Sequence, residues 1–162
     1  MLPTQAEAPD GASEGDVVLE RMALLVVGEH RFGIPIERIR EIIPARPYTP
    51  LPGSAAFVCG LINLRGRIVT VVDLGARLNL PPASALPEHG IVIVEHRGKL
   101  AGLAVQEVSR IVDVDPEELR DNADALRMLR IDREYLRGVG QVDGEVFVAV
   151  EPDALLETIL AA

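Results

Sequence analysis

The chain has 162 residues, enough for one domain or two small subdomains that share a core. It carries 16 basic and 25 acidic residues, a formal net charge of −9, and its first twenty residues hold Glu7, Asp10, Glu14, Asp16 and Glu20 without a Lys or Arg. A mildly acidic remainder argues against nucleic acid and anionic membrane surfaces as partners, since both need a basic face. Aromatic residues make up only 3%, so base-stacking platforms are disfavoured and the core must be Val, Ile, Leu and Ala. The one cysteine, Cys59, allows no intramolecular disulfide and no Cys-rich metal site. No run approaches the roughly 18 apolar residues of a membrane span, and the acidic start is no secretory signal. These features are read as a cytoplasmic protein without membrane insertion.

Residues 1–16 are small, polar and Pro-bearing, and are expected to form a disordered tail. From residue 17 the pattern is mainly β. Apolar runs at 22–27 and 31–36 flank Gly28-Glu29-His30, and runs at 57–64 and 67–74 flank Arg65-Gly66. Residues 91–95 and 99–105 flank His96-Arg97-Gly98, and 139–142 and 145–150 flank Asp143-Gly144. Each reads as a hairpin, Asp-Gly being the strongest such signal. Residues 108–114 read as a further alternating strand. A short helix is expected over 37–43, where Ile36, Ile39, Ile42 and Ile43 fall on one helical stripe before Pro44. Residues 74–80 suggest a turn or two of helix, 81–90 a Pro-rich connector, and 120–133 a loop or marginal helix. A C-terminal helix is expected over 152–161, its apolar set including Leu155, Leu156, Ile159 and Leu160.

The chain repeats itself in part. A shift of 78 lays Phe57 on Tyr135, Gly60 on Gly138, Gly66 on Gly144, and Ile68, Thr70 and Val72 on Val146, Val148 and Val150. A shift of 69 lays Gly33, Ile36 and Ile39 on Gly102, Val105 and Val108. Either short apolar hairpins coincide by chance, or two similar small β-barrels share one domain. Gly60 and Gly138 would then mark a bulge, a barrel corner or a close backbone approach.

No catalytic constellation is visible. His30, His89 and His96 fall in turns or connectors and are read as solvated, with no carboxylate or cysteine at metal-ligand spacing. Cys59 in an apolar strand is read as a small hydrophobe, and Asp73 as a strand-end cap for the turn at 74–76. Glycine-rich phosphate loops and nucleophile-elbow motifs are lacking. A β-rich domain of this kind is expected to bind, without catalysis, metal or cofactor.

Three segments carry a recognisable pattern. They are residues 32–42 (FGIPIERIREI), residues 49–53 with 58–74 (TPLPG; VCGLINLRGRIVTVVDL), and residues 102–108 with 136–140 (GLAVQEV; LRGVG). The chain resembles the CheW-like chemotaxis coupling proteins over about residues 20–160. The resemblance implies a CheW-like domain over 17–162, mainly β. It would hold two SH3-like five-stranded β-barrel subdomains packed together, with short helices and a C-terminal helix. The first barrel would span roughly 17–80 and the second roughly 90–151.

The resemblance also implies an adaptor that couples the cytoplasmic hairpin tips of methyl-accepting chemoreceptors to the regulatory domain of a CheA-type histidine kinase. Such a protein would sit at membrane-associated arrays through its partners, in a flagellar or a pilus-type motility pathway. Carried over by motif, an apolar groove for a helical partner is lined by Ile36, Ile39, Ile42 and Val108, with Glu41 and Arg65 as polar contacts. Gly60, Asn63 and Gly66 build the turn that presents Arg65. Ile36 and Ile43 are read as core, whereas Ile39 and Ile42 fit core and groove equally. Kinase-contact residues are not assigned. On this reading, Ile39→Asp abolishes receptor binding and leaves the fold intact. Two departures from the family pattern are Gln106, where a carboxylate is common, and Thr70, where Pro is common.

Overall fold

The computed structural model describes residues 17–121 and 132–160. The strands are β1 (Glu20–Val27), β2 (His30–Pro35), β3 (Ile39–Pro44), β4 (Val58–Leu64), β5 (Arg67–Asp73), β6 (Gly90–His96), β7 (Lys99–Val105), β8 (Glu107–Val114), β9 (Leu136–Val142) and β10 (Glu145–Val150). Two helices, α1 (Leu74–Arg77) and α2 (Pro152–Leu160), follow β5 and β10. All four expected hairpins form as antiparallel pairs. The acidic tail, most of the ambiguous 120–133 stretch and the side chains of Ile159 and Leu160 lie outside the described residues.

The strands make two five-stranded sheets, ordered β8-β1-β2-β10-β9 and β3-β6-β7-β5-β4, with SH3-like subdomains as their architecture. The sheets do not follow the expected limits of 17–80 and 90–151. One sheet takes the contiguous strands β3 to β7. The other joins the N-terminal hairpin β1–β2 to β8, β9 and β10. The repeat therefore exists in sequence, but the two repeats exchange their leading hairpins. A repeat in the chain says how many units there are. It does not say which unit each hairpin pairs with.

The reason for the exchange is visible in the hairpin residues. In β1, Ala23, Leu25 and Val27 face a central core while Met22 and Leu24 face the interior of their own sheet. In β6, Val92 and Val94 face that same central core while Ile91 and Ile93 face inward. The middle residues of these strands are apolar without a break because both faces are buried there. The central core also receives Phe32 and Ile34 from β2, Leu103 and Val105 from β7, Val148 and Val150 from β10, and Leu155 and Leu156 from α2. Each large aliphatic or aromatic side chain fully buried there contributes about 2 kcal/mol.

The two sheets match residue by residue. Ile39, Glu41 and Ile42 pair with Val94, Ile93 and Val92, just as Val108, Arg110 and Ile111 pair with Leu25, Leu24 and Ala23. Each ladder has one bulge, which leaves out Arg40 in β3 and Ser109 in β8. At the far edges Gly60 pairs with Val71 as Gly138 pairs with Ala149. Beyond β3, Thr49 bridges to Leu61 on β4; beyond β8, Arg120 bridges to Val139 on β9. Each sheet's two edges are thus drawn together by one backbone bridge. Arg77 of α1 lies between the pseudo-equivalent rings of Phe57 and Tyr135, 4.8 and 4.4 Å from their centroids.

The helix expected over 37–43 is instead a one-turn 3-10 helix at Ile36–Arg38 followed by strand β3. The bulge explains the misleading periodicity. Residues three apart lie on opposite faces of a regular strand, but the extra residue Arg40 returns Ile39 and Ile42 to the same face. The strand reading of 108–114 and the cap role of Asp73 both hold. Asp73 Oδ1 accepts from the Ala76 and Ala83 N–H groups at 3.0 Å, and Oδ2 from Ser84 N–H at 2.7 Å.

Two outcomes follow from this architecture. Gly60 has φ +140°, and a Cβ there would lie 2.5 Å from the Thr49 carbonyl oxygen. Gly60→Ala is expected to cost about 2 kcal/mol, read as a lower urea midpoint with unchanged slope. Because the hairpins are exchanged, a fragment ending in the 81–88 connector lacks β6 and β7. It should show no cooperative unfolding alone, and mixing it with the complementary fragment should restore the transition.

Candidate functional site

The residues singled out in the sequence separate into two neighbouring groups. Ile36, Ile39 and Val108 are half-buried and pack against the central core between the sheets. Ile42 lies on the same face of β3 as Ile39, but is 51% exposed because β3 is an edge strand. Ile43, one residue on, turns into the sheet interior and is buried. Ile36 and Ile43 thus pack as expected. Ile39 and Ile42 form a graded strip running from core to solvent.

The second group is the β4–β5 tip. Arg65 and Gly66 both have positive φ, 52° and 87°, as a two-residue hairpin turn of the primed type requires. Asn63 Oδ1 accepts from the Gly66 N–H at 2.8 Å and fixes that turn, the role expected for it. Arg46 Nη1 donates to the Asn63 carbonyl at 3.2 Å. Gly60, six residues before Gly66 on the β4 arm, lets Thr49 approach and so sets the course of that arm.

From this tip Arg65 reaches back to β3. Its Nη2 donates to Glu41 Oε1 and its Nη1 lies 3.3 Å from Glu41 Oε2. Glu41 and Arg65 come from opposite edges of the sheet, so the pair spans the seam. The two-pronged contact matches guanidinium geometry to carboxylate geometry. The hydrogen bond from Arg65 is the largest effect and holds the Glu41 carboxyl below its ordinary value; desolvation opposes it, and the charges of Arg65 and Arg46 add to the lowering. Arg65 is 71% exposed, so solvent screens the pair and it contributes little to stability. Its consequence is to hold a charged, oriented pair beside the Ile39–Ile42 strip.

The histidines depart from expectation. His89 and His96 are buried, at 6% and 5% exposure. His89 Nδ1 lies 2.6 Å from the Leu86 carbonyl, which leaves Nε2 to accept from the Tyr48 hydroxyl at 2.6 Å. His96 ends β6 beneath α2, with Nδ1 3.0 Å from Asp153 Oδ1 and Nε2 3.2 Å from Glu157 Oε1. Both anchor segments that are far from them in sequence, which no turn composition reveals. Arg38 also bonds Asp153, and its hydrogen bond is the largest cause that lowers the Asp153 carboxyl. Burial pushes the Cys59 thiol up to about 11, consistent with a packing role. Among the described residues no group of His, Cys, Asp and Glu is arranged to hold a metal ion. A cleft of about 570 Å³ at the mouth of the other sheet, lined by Asp115, Leu119, Gln141 and Phe147, lies away from the marked residues. Gln106, one of the departures, ties β1 to β8: its Oε1 accepts from Gly28 N–H at 3.1 Å and its own N–H donates to Val26 O.

One set of residues was missed. Extending the shifts of 69 and 78 beyond the glycines lays Glu41 and Ile42 on Arg110 and Ile111, and Arg65 on Asp143. In the structure Arg110 and Asp143 form an ion pair at 3.0 Å across the seam of the first sheet. The signal was the repeat itself, carried onto polar positions.

The Glu41–Arg65 pair has a direct spectroscopic test. The Glu41 side-chain carboxyl should titrate below 4.5 in an NMR pH series, and Arg65→Ala should return it towards that value.

A family model described as the CheW-like domain matches residues 21–160. The chain is 34% identical over 129 residues to a probable chemotaxis protein CheW of Rhizobium etli, covering 80% of this chain and 82% of that one. It is 28% identical over 149 residues to the protein FrzA of Myxococcus xanthus, covering 89% and 85%. Among solved structures it resembles the scaffolding protein TtCheW of Thermoanaerobacter tengcongensis, with TM-score 0.76 and 25% identity, over 86% of this chain and 94% of that one.

Proposed function

The chain belongs to the CheW-like domain family, whose members are non-enzymatic scaffolding adaptors, and on that premise we propose that it couples chemoreceptor tips to a CheA-type histidine kinase. The observation that carries the reading is the juxtaposition on β3. An aliphatic strip, Ile39 to Ile42, emerges from the central core beside an oriented Glu41–Arg65 pair. A helical hairpin offers an apolar stripe with polar flanks, and such a stripe docks on an apolar strip with a charged rim. Ile36 and Val108 set the floor of the contact, Ile42 reaches the partner, and Glu41 with Arg65 supplies direction. Gly60, Asn63 and Gly66 act through Arg65 by holding its turn. On this reading the adaptor carries no cofactor. No described helix is long and apolar enough to cross a membrane, and the adaptor reaches the membrane-associated array from the cytoplasm through its partners. Relatives include proteins with names other than CheW, such as FrzA, so a motility pathway other than the flagellar one is the second reading, decided by the neighbouring genes.

The test is binding of a receptor hairpin fragment, with thermal unfolding followed on the same preparations. Ile42→Asp should weaken binding at least about tenfold, since charging a central apolar contact removes a hot spot. Its exposure keeps the melting temperature nearly unchanged. Arg65→Ala should likewise weaken binding more than it lowers the melting temperature. Wild-type affinity in both variants overturns the reading. Ile39→Asp is a poorer probe than the sequence suggests, because Ile39 packs on the central core and its loss also destabilises the fold.

A further inference from the structure

His96 ends β6 with its side chain buried, and both of its ring nitrogens face carboxylates of α2. Nδ1 lies 3.0 Å from Asp153 Oδ1, and Nε2 lies 3.2 Å from Glu157 Oε1. Asp153 and Glu157 are four residues apart on the helix, so they project from one face and straddle the ring. A neutral imidazole carries one N–H and one lone pair, and donates to only one of them. The imidazolium donates to both.

The neighbouring arginines offer the lone pair no better partner. Arg38 Nη2 is 3.4 Å from Nδ1, but its two protons have shorter contacts: the Glu95 carbonyl at 3.0 Å and Asp153 Oδ1 at 2.8 Å. Arg97 Nη1 donates to the same Glu157 oxygen at 3.0 Å, so that oxygen is an acceptor with no proton for Nε2. Either neutral tautomer therefore turns a lone pair towards a carboxylate oxygen, which is costly for a group nearly closed to water. Charges of both signs surround the ring. Arg38 from the 3-10 turn, Arg97 from the β6–β7 turn and Lys99 across the hairpin oppose its charge. Asp153 and Glu157 from α2, Glu95 from β6 and Glu37 from the 3-10 turn favour it. Arg97 and Lys99 are exposed, so solvent screens their opposition. A cleft of about 310 Å³, bordered by Glu37, Arg38, Arg97 and Asp153, opens beside the ring and gives protons a route from solvent.

We propose that His96 is a proton-operated latch for α2. With both nitrogens protonated, the ring clamps the helix across the end of β6 and keeps Leu155 and Leu156 seated in the central core. When the ring gives up one proton, one carboxylate loses its donor and faces a lone pair, and α2 loosens at that margin. The latch also touches the root of the aliphatic strip, because Arg38, which shares Asp153 with His96, ends the turn that begins with Ile36. The sign follows from which state binds the proton. The clamp is present on the acid side and is lost as pH rises through the histidine range. Asp153 sets the lower limit. The hydrogen bond from Arg38, before its other contacts, holds the Asp153 carboxyl below its ordinary value, and its contribution is lost only as pH falls through that lowered value. This goes beyond the adaptor reading and needs neither a receptor nor a kinase.

NMR of the full chain labelled with nitrogen-15 reads the ring directly, since its nitrogen shifts distinguish the imidazolium from the two neutral tautomers. At about pH 6 both nitrogens of His96 should carry protons. Hydrogen exchange of the α2 amides, compared between wild type and His96→Gln at matched pH, reads the clamp. The helix should exchange about tenfold more slowly in wild type at about pH 6, and less than about twofold more slowly at about pH 8.5. Glu157→Gln removes one of the two carboxylates and should flatten the same pH dependence, which keeps the test open if His96→Gln does not fold. A ring with one bare nitrogen at pH 6 overturns the proposal. So does a gap between wild type and variant that stays constant with pH. A gap that widens as pH rises overturns it too, since that is the behaviour of a buried histidine held neutral. Receptor-fragment binding on the same preparations is a separate readout, so the adaptor reading can fail while this one stands.

Discussion

The burial of two hairpins on both faces is the constraint on which the rest of this molecule depends. The central residues of β1–β2 and β6–β7 are apolar and buried on both faces, and no single sheet covers both sides of them. Exchange between the repeats solves this. Each hairpin closes the interior of one sheet with one face and packs against the other hairpin with the other. The central core then couples the two sheets into one unit, and α2 covers it through Leu155 and Leu156. Polar groups follow that plan. His96, Arg38 and Asp153 tie α2 down at the margin, and Gln106 ties β1 to β8.

The same constraint decides what is left at the surface. With the hairpins in the middle, the edge strands β3 and β8 fall outside, and the bulge in each returns two aliphatic residues to one face. The tips of β4–β5 and β9–β10 come round to the seams, where ion pairs cross each. Shape is thus duplicated by the fold, while the charge at each duplicated position is free to differ. A binding protein gains from this, since two similar surfaces can be given different partners through a few exposed side chains.

Much of the hairpin plan was legible in the chain. Turn chemistry at Arg65-Gly66 and Asp143-Gly144 located two hairpins, and Asn63 was assigned its supporting bond to the turn. Gly60 and Gly138 were expected at a bulge, a barrel corner or a close backbone approach, and each stands beside a bulge where a neighbouring backbone comes close. What misled was periodicity across an irregularity: the bulge at Arg40 gave β3 the apolar spacing of a helix. The histidines misled for a different reason. His89 and His96 are covered by Tyr48 and by α2, which are distant in sequence, and local polarity cannot report that cover.

By itself the sequence determined the two hairpins of each repeat, the turns that close them and the family to which the chain belongs. These depend on backbone preference and side-chain alternation, which are local. Only the tertiary structure decided which hairpin completes which sheet, because that choice rests on burying both faces of strands far apart in the chain. It alone also decided that Ile42 is exposed while Ile43 is buried, and that Glu41 meets Arg65 as Arg110 meets Asp143. Those outcomes arise where two sheet edges come together.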